Sequence, residues 1–341
     1  MAGYNVAIVG PSEPSGLELL KILAQRRFPI SGIKLLEGPA GLINGRKLPF
    51  ANHEIEVREI SNRAFHDIDL AFFCGSTEIA QHFAPIASEA GALVIDLSGA
   101  FRADDRTPII LPEINAGELS NLKKKKIVTV PSPGVTQLVL PLNILRGWTM
   151  LRRIVVHNFE PVSESGQSGM ELLTGEVKQV LEGKPVVPHL YHHQIAFNLL
   201  PETSPFLDTG LSKSEARFIK EVRRLWRVPE LNVIVTSIRV PVHIGLTQSV
   251  MVDFARRISP DELREVFGDT AGVRLLDDPT VSLYPQPWQA TNQDDILIGR
   301  VREVDPAHNT LAFWSATDNL RRGAALTAVQ VAEAAVELKV I

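Results

Sequence analysis

The residues best able to do chemistry gather at the ends of short apolar runs. The run Asn5–Val9 leads into Gly10-Pro11-Ser12-Glu13-Pro14-Ser15-Gly16. Small residues in such a turn let backbone N–H groups approach a pyrophosphate at the start of the following helix. Gly10 and Gly16 bracket the turn, but Glu13 stands where a middle glycine would bring the backbone closest. Its carboxylate repels phosphate, and Pro11 and Pro14 each remove an N–H donor. A dinucleotide turn and a tight strand-to-helix turn that no longer binds one are equally compatible with this segment. A second turn, Cys74-Gly75-Ser76-Thr77, follows Leu70–Phe73 and is placed to line the same crevice. Cys74, the only cysteine of the chain, reads either as a reactive thiol or, more commonly for such a position, as a small buried hydrophobe. The segment Val130 to Gln137, V-P-S-P-G-V-T-Q, ends a strand where a two-domain α/β protein would aim a nucleophile into its cleft, and it holds no cysteine.

The elements that must position these turns alternate. Helical periodicity from Gly16 to Arg27 and a helix from Thr77 to Glu89 separate strand candidates at Asn5–Val9, Ile33–Leu36, Ile55–Arg58, Leu70–Phe73, Leu93–Leu97 and Ile127–Val130. This βαβ rhythm predicts a doubly wound parallel sheet of Rossmann-like type. The pattern then changes. A long strand at Arg153–Val162 and helices at Gly169–Leu181 and Ser214–Trp226 precede strands at Val233–Val242, Ser249–Ala255, Ile296–Val304 and Thr310–Ala316, expected to form an antiparallel sheet. Ser259 is placed to cap a short helix, Pro260–Phe267, and Leu320–Leu338 reads as a closing helix. Pro185–Pro188 and Pro285–Gln293 read as loops. The fold class is therefore α/β, an N-terminal Rossmann-like parallel sheet followed by a second α+β domain.

Composition narrows the function. With 341 residues the chain is too long for one ordinary core. A net charge of −4, from 35 basic and 39 acidic residues, gives no reason to expect nucleic acid, whose binding needs a basic surface. The run Lys123–Lys126 reads as a solvated loop. One cysteine excludes an intramolecular disulfide framework and fits a reducing compartment. No apolar run reaches the roughly 20 residues of a membrane span, and the first residues pass straight into a strand. The expectation is a cytoplasmic protein that meets neither membrane nor nucleic acid.

Five blocks carry a resemblance. Asp96-Leu97-Ser98-Gly99-Ala100-Phe101-Arg102 with Leu111-Pro112-Glu113-Ile114-Asn115, then Gln194–Asn198, Arg239-Val240-Pro241-Val242, and Asp318–Ala325 keep one order and spacing along nearly the whole chain. In these the sequence resembles the aspartate-semialdehyde dehydrogenase family. The resemblance implies a dinucleotide-binding domain of residues 1–132 plus 320–341, a substrate and dimerisation domain of residues 133–319, and a homodimer. In the chemistry so implied, a thiolate attacks an aldehyde, hydride passes to a nicotinamide, and phosphate cleaves the thioester.

Carried over residue by residue, the resemblance leaves an anion-binding set. Arg102 matches the phosphate-binding arginine, Glu221 the acid that meets the substrate amino group, and Arg239 the arginine that grips the substrate carboxylate. Arg224 stands where a phosphate-binding lysine is usual, with altered geometry. For each of these the plainer reading is a salt bridge, and for Arg224 the plainer reading is preferred. Gly10, Gly16, Gly75, Ser76 and Asn319 fall at cofactor-binding positions.

The reacting groups do not carry over. Pro133 occupies the nucleophile position, Leu246 that of the histidine base, and Glu160 that of the active-site glutamine. The loop that would recognise the NADP 2′-phosphate is shortened to Leu36–Gly41 and holds no arginine. His243, three residues before Leu246, would point to the opposite face if the segment were a strand. The expectation is a scaffold similar to the catalytically incomplete Usg-type paralogues of that family. Its NAD(P) binding would be weakened, no metal is called for, and a small anionic metabolite or a protein partner would be its ligand. The alternative is an active NAD(P)-dependent oxidoreductase with a rearranged site.

Overall fold

A computed structural model describes residues 3–122 and 126–341, so Lys123–Lys125 of the basic run lie outside the described residues. The chain divides into two compact units, Met1–Ser132 with Ala324–Ile341, and Pro133–Gly323.

The first unit is built on strands β1 (Tyr4–Val9), β2 (Ile30–Glu37), β3 (Lys47–Phe50), β4 (His53–Glu59), β5 (Leu70–Phe73), β6 (Leu93–Asp96) and β7 (Ile127–Thr129), in the order β3-β4-β2-β1-β5-β6-β7. All pairings are parallel except β3 against β4. Alternation along β1 explains the two layers of core. Val6 and Ile8 face helices α1 (Pro14–Gln25) and α10 (Leu326–Glu337) through Leu19, Ile22, Leu23, Val329 and Val331. Ala7 and Val9 face the opposite side, where α2 (Thr77–Glu89) presents Ala80, Ala84 and Ala87. From β1 the chain moves to β2 on one side and later to β5 on the other. The strand order therefore reverses at the carboxyl ends of β1 and β5, where an open α/β sheet binds ligands. A short helix, α3 (Pro112–Asn115), precedes β7. The strand β3 was not foreseen: it is an edge strand in which only Leu48 is buried, and Pro49 breaks its pattern.

The second unit carries β8 (Leu151–Glu160), β9 (Asn232–Arg239), β10 (Leu246–Phe254), β11 (Val273–Leu275), β12 (Ile296–Asp305) and β13 (Thr310–Thr317), ordered β11-β12-β13-β10-β8-β9. This sheet is mixed, not antiparallel as the sequence suggested. The pairs β8–β9 and β11–β12 are parallel, the rest antiparallel. The reason is the length of the β8–β9 connection, which holds α6 (Gly166–Leu181) and α7 (Lys213–Trp226) and can return the chain to its starting end.

Helix α4 (Pro133–Asn143) is buried from Pro133 through Leu142, runs on to the short α5 (Leu145–Trp148), and packs against α7, β10 and β13. Ser259 caps α8 (Pro260–Asp269) through a reciprocal box with Glu262. Within the loop expected at Pro285–Gln293 lies one helical turn, α9 (Pro287–Ala290).

The closing segment opens with a π-type turn, Arg321–Ala325, before α10. Residues 320–323, which the sequence reading puts with the first domain, sit in the second unit. Asp318 fixes them there: its carboxylate accepts from the N–H groups of Leu320, Arg321 and Asn292. Gly323 is small because a Cβ would come within 2.5 Å of the Pro133 ring. No helix of the described residues is long and apolar enough to cross a membrane.

Candidate functional site

In the first unit the two glycine turns meet. Gly10 has φ +75°, and a Cβ on it would lie 2.5 Å from Gly75 N and Cα. A Cβ on Gly16 would strike the Gly10 carbonyl. The backbones at the ends of β1 and β5 thus touch because neither carries a side chain there. Ser76 caps α2, its Oγ accepting from Ile79 N at 3.3 Å. Glu13 stands at the N-cap of α1 with no side-chain capping bond, and its N–H donates to the Gly10 carbonyl at 3.3 Å. Pro14 follows at the first helical position, where a missing N–H costs the helix nothing but leaves one donor fewer for a ligand. The Ser12 hydroxyl is buried in this turn without a hydrogen-bond partner.

Of the two readings of Cys74, the structure favours the hydrophobe. The side chain is 7% exposed and belongs to the apolar core under α1 and α10. Burial first, then the negative charges of Asp96, Glu13 and Glu37, push its thiol well above the ordinary cysteine range. The native protein is therefore expected to react with a water-soluble disulfide reagent only after denaturation. Fast modification of the folded chain would contradict this placement.

Arg102 is 8% exposed, and its guanidinium donates to two backbone carbonyls, Val130 at 2.9 Å and Leu97 at 3.0 Å. Those bonds tie the segment after β6 to the end of β7. A carbonyl-tethering role, not foreseen, thus accounts for much of this arginine. Asp96 organises the same turn, accepting from Ser98 N, Ser98 Oγ, Phe101 N and Thr129 Oγ1.

The second unit gathers the remaining positions around the parallel pair β8–β9. Glu160 and Arg239 end these strands and are direct register partners. Their side chains form an ion pair at 3.4 Å, with 14% and 4% of the side chains exposed. Arg239 also donates to the Pro161 carbonyl at 2.8 Å, and its guanidinium lies 5.9 Å from the Tyr191 ring. Burial raises the Glu160 carboxyl above its usual 4.5; Arg239, the Ser237 hydrogen bond and Arg217 oppose the rise, while Glu215 adds to it.

Glu215, the capping acid of α7, accepts from Ser212 N at 2.7 Å and from Ser237 N at 2.8 Å, so it joins that helix to β9. Glu221 is fully buried two turns along α7, and Arg224 is partly buried near the helix end. Sequence reasoning missed Glu215 and Arg217. The signal was available in part, since Arg217 precedes Glu221 by one helical turn.

Pro133 starts α4, a position that suits a proline ring but offers no nucleophilic atom. The adjacent Gly134 carbonyl accepts from Gln248 Nε2 at 2.7 Å, and the same amide nitrogen donates to Asn158 Oδ1 at 2.9 Å. Asn158 in turn donates to Ser237 Oγ at 3.1 Å, and Gln137 donates to Ser315 Oγ at 2.8 Å. Leu246 is 2% exposed at the start of β10. His243 is not on a strand, as the face argument assumed, but in the bend before β10. It is exposed, with Nε2 at 2.9 Å from Thr174 Oγ1.

Asn319 belongs to this unit and not to the one with the glycine turns. Its amide is consumed there, accepting from Gly245 N at 3.1 Å and donating to Ser163 Oγ at 3.0 Å and Glu164 Oε1 at 2.8 Å. Among the described residues no group of His, Cys, Asp and Glu could hold a metal ion.

Comparison with known proteins bears on both units. Residues 5–122 match the semialdehyde dehydrogenase NAD-binding domain family, and residues 142–322 the semialdehyde dehydrogenase dimerisation domain family. The chain is 34% identical to the aspartate-semialdehyde dehydrogenase of Aquifex aeolicus over 97% of both chains, and 31% identical to that of Bacillus subtilis over 99% of both. The structure of aspartate semialdehyde dehydrogenase II from Vibrio cholerae, complexed with ASA, superposes with a TM-score of 0.94 at 30% identity, covering 99% of each chain. The NADP-bound enzyme of Candida albicans, at 17% identity and a TM-score of 0.75, shares the fold. On this agreement of sequence, order of elements and fold, the chain belongs to the aspartate-semialdehyde dehydrogenase family.

Proposed function

We propose that this family member binds a nicotinamide dinucleotide and a small anionic metabolite as a homodimer but does not perform the phosphorylating aldehyde dehydrogenase reaction. The observation that carries the reading is Pro133. It sits at the nucleophile position, its ring has no atom that can attack an aldehyde, and it opens a buried helix. The one thiol of the chain, Cys74, is buried in the core of the other unit and held protonated.

Leu246 provides no base in place of histidine, and losing nucleophile and base together removes a mechanism rather than slowing it. Glu160 cannot substitute at low cost, because deprotonating it strengthens the pair with Arg239 instead of freeing a base. The first unit fits a dinucleotide better than the second fits the chemistry. Gly10 and Gly16 keep the turn tight, since a Cβ on either would strike backbone, and the Ser12 hydroxyl buried there has no hydrogen-bond partner. Glu13, beside the same turn, keeps the affinity low. For the metabolite, the mixed charges of Glu160, Glu221, Arg224 and Arg239 suit a ligand with a carboxylate and an amino group. Dimerisation follows from the match to the dimerisation domain family.

The test is a nicotinamide assay. Purified protein with aspartate semialdehyde, phosphate and NAD or NADP is expected to give no reduced nicotinamide, while calorimetry detects dinucleotide binding. A rate that survives Cys74→Ala and vanishes with Glu160→Gln would establish a rearranged active site instead.

A further inference from the structure

We infer that the first unit selects a dinucleotide with a free ribose 2′-hydroxyl over its 2′-phosphorylated counterpart, NAD over NADP, and that Glu37 makes the selection. This rests on the reading of that unit as dinucleotide-binding.

Glu37 is the last residue of β2, the neighbour of β1. Gly10 N donates to the Leu36 carbonyl at 2.9 Å, so the acid and the glycine turn share one end of adjacent strands. In doubly wound sheets a carboxylate near this place accepts from the adenosine ribose hydroxyls. Two observations show that Glu37 is built for an acceptor role rather than for solvent. The residue is 8% exposed, and its Oε1 accepts only a 3.3 Å bond from Gly38 N, while Oε2 is buried with no hydrogen-bond partner. A buried carboxylate oxygen left unpaired is costly, and a sugar hydroxyl is the neutral donor that satisfies it.

The surroundings exclude the alternative ligand. From Glu37 to Gly45 the chain holds no lysine or arginine to receive a 2′-phosphate. Arg58, level with Leu36 on β4, pairs with Glu56 at 3.2 Å, and the residue level with Glu37 is another acid, Glu59. Gly41 lets the loop lie against the carboxylate, since a Cβ on it would stand 3.2 Å from Glu37. A 2′-phosphate would therefore bring two negative charges against a buried one.

Calorimetric titration of the full chain with NAD and with NADP, at one salt concentration, tests the inference. NAD is expected to bind at least ~10-fold more tightly, since the 2′-phosphate would set like charges against each other. Glu37→Gln, and independently Glu37→Ser, are expected to bring the ratio close to one, mainly by strengthening NADP. Thermal unfolding of each variant verifies that it is folded. NADP binding as tight as NAD in the parent chain would overturn the inference, whatever the variants do. A ratio unchanged in the folded variants would remove Glu37 from it. Should neither dinucleotide bind the parent chain, the dinucleotide reading itself falls and the inference with it.

Discussion

Arg239→Ala is expected to cost about 3–5 kcal/mol of stability at neutral pH, the range for removing one partner of a buried ion pair. Glu160 would be left mostly buried beside Glu215 without its ion-pair partner, and the donor to the Pro161 carbonyl would be lost as well. The pH dependence distinguishes this cause from a simple packing defect. The Glu160 carboxyl is raised in the folded chain, so the folded state holds its proton more tightly than the unfolded state does. The stability contributed by that proton is complete below the unfolded value of 4.5 and is lost as pH rises through the folded value. Without Arg239 the rise is larger, because the larger of the two charges that opposed it has gone. Denaturant titrations should show the deficit of Arg239→Ala shrinking toward pH 4, and a deficit that is constant with pH would refute the electrostatic account. Glu160→Gln should flatten the same profile and release Arg239 to bind a carboxylate ligand more tightly.

Gly10→Ala should be nearly as damaging, about 2–5 kcal/mol when the left-handed conformation and the displaced backbone are added. The residue has φ +75°, and the new Cβ would lie 2.5 Å from Gly75 N and Cα. Neither atom can move without shifting the end of β5. Gly45→Ala provides the control: φ is +73° but nothing lies within 4 Å, so only the conformational cost of ~1–2 kcal/mol applies. Thermal unfolding of both variants measures the difference. If Gly10→Ala is no worse than Gly45→Ala, the close approach of the two turns is not what the glycines serve. Because the same turn is where a dinucleotide would lie, Gly10→Ala should also weaken nucleotide binding by at least ~10-fold, which is ~1.4 kcal/mol.

Much of the first unit was legible because its signals are local. Leu70–Phe73 and Thr77–Glu89 appear in the structure with the bounds read from the sequence, since an apolar run, a capping serine and a helical period all lie within one window. The mixed sheet of the second unit was not legible. Strand direction there is set by the crossover through α6 and α7, and no property of Val233 or Val235 records it. The closing helix was read as one piece, but Asp318 fixes its first residues to the second unit, a capping bond that alternation of apolar residues does not announce.

The reacting residues divide in the same way. That Pro133, Leu246 and Glu160 carry no thiol, imidazole or amide follows from residue identity alone, because a side chain that lacks an atom lacks it in every conformation. What each remaining charge does was decided only by folding. Arg102 and Arg239 read as anion-binding groups. Once folded, Arg102 donates to the carbonyls of Val130 and Leu97, and Arg239 faces Glu160 as its neighbour across two parallel strands. Glu37 read as part of a shortened loop, and the tertiary structure makes it a buried acid with one oxygen unpaired. Sequence fixes which atoms exist, whereas burial and register fix their partners, and a charge does chemistry only through its partners.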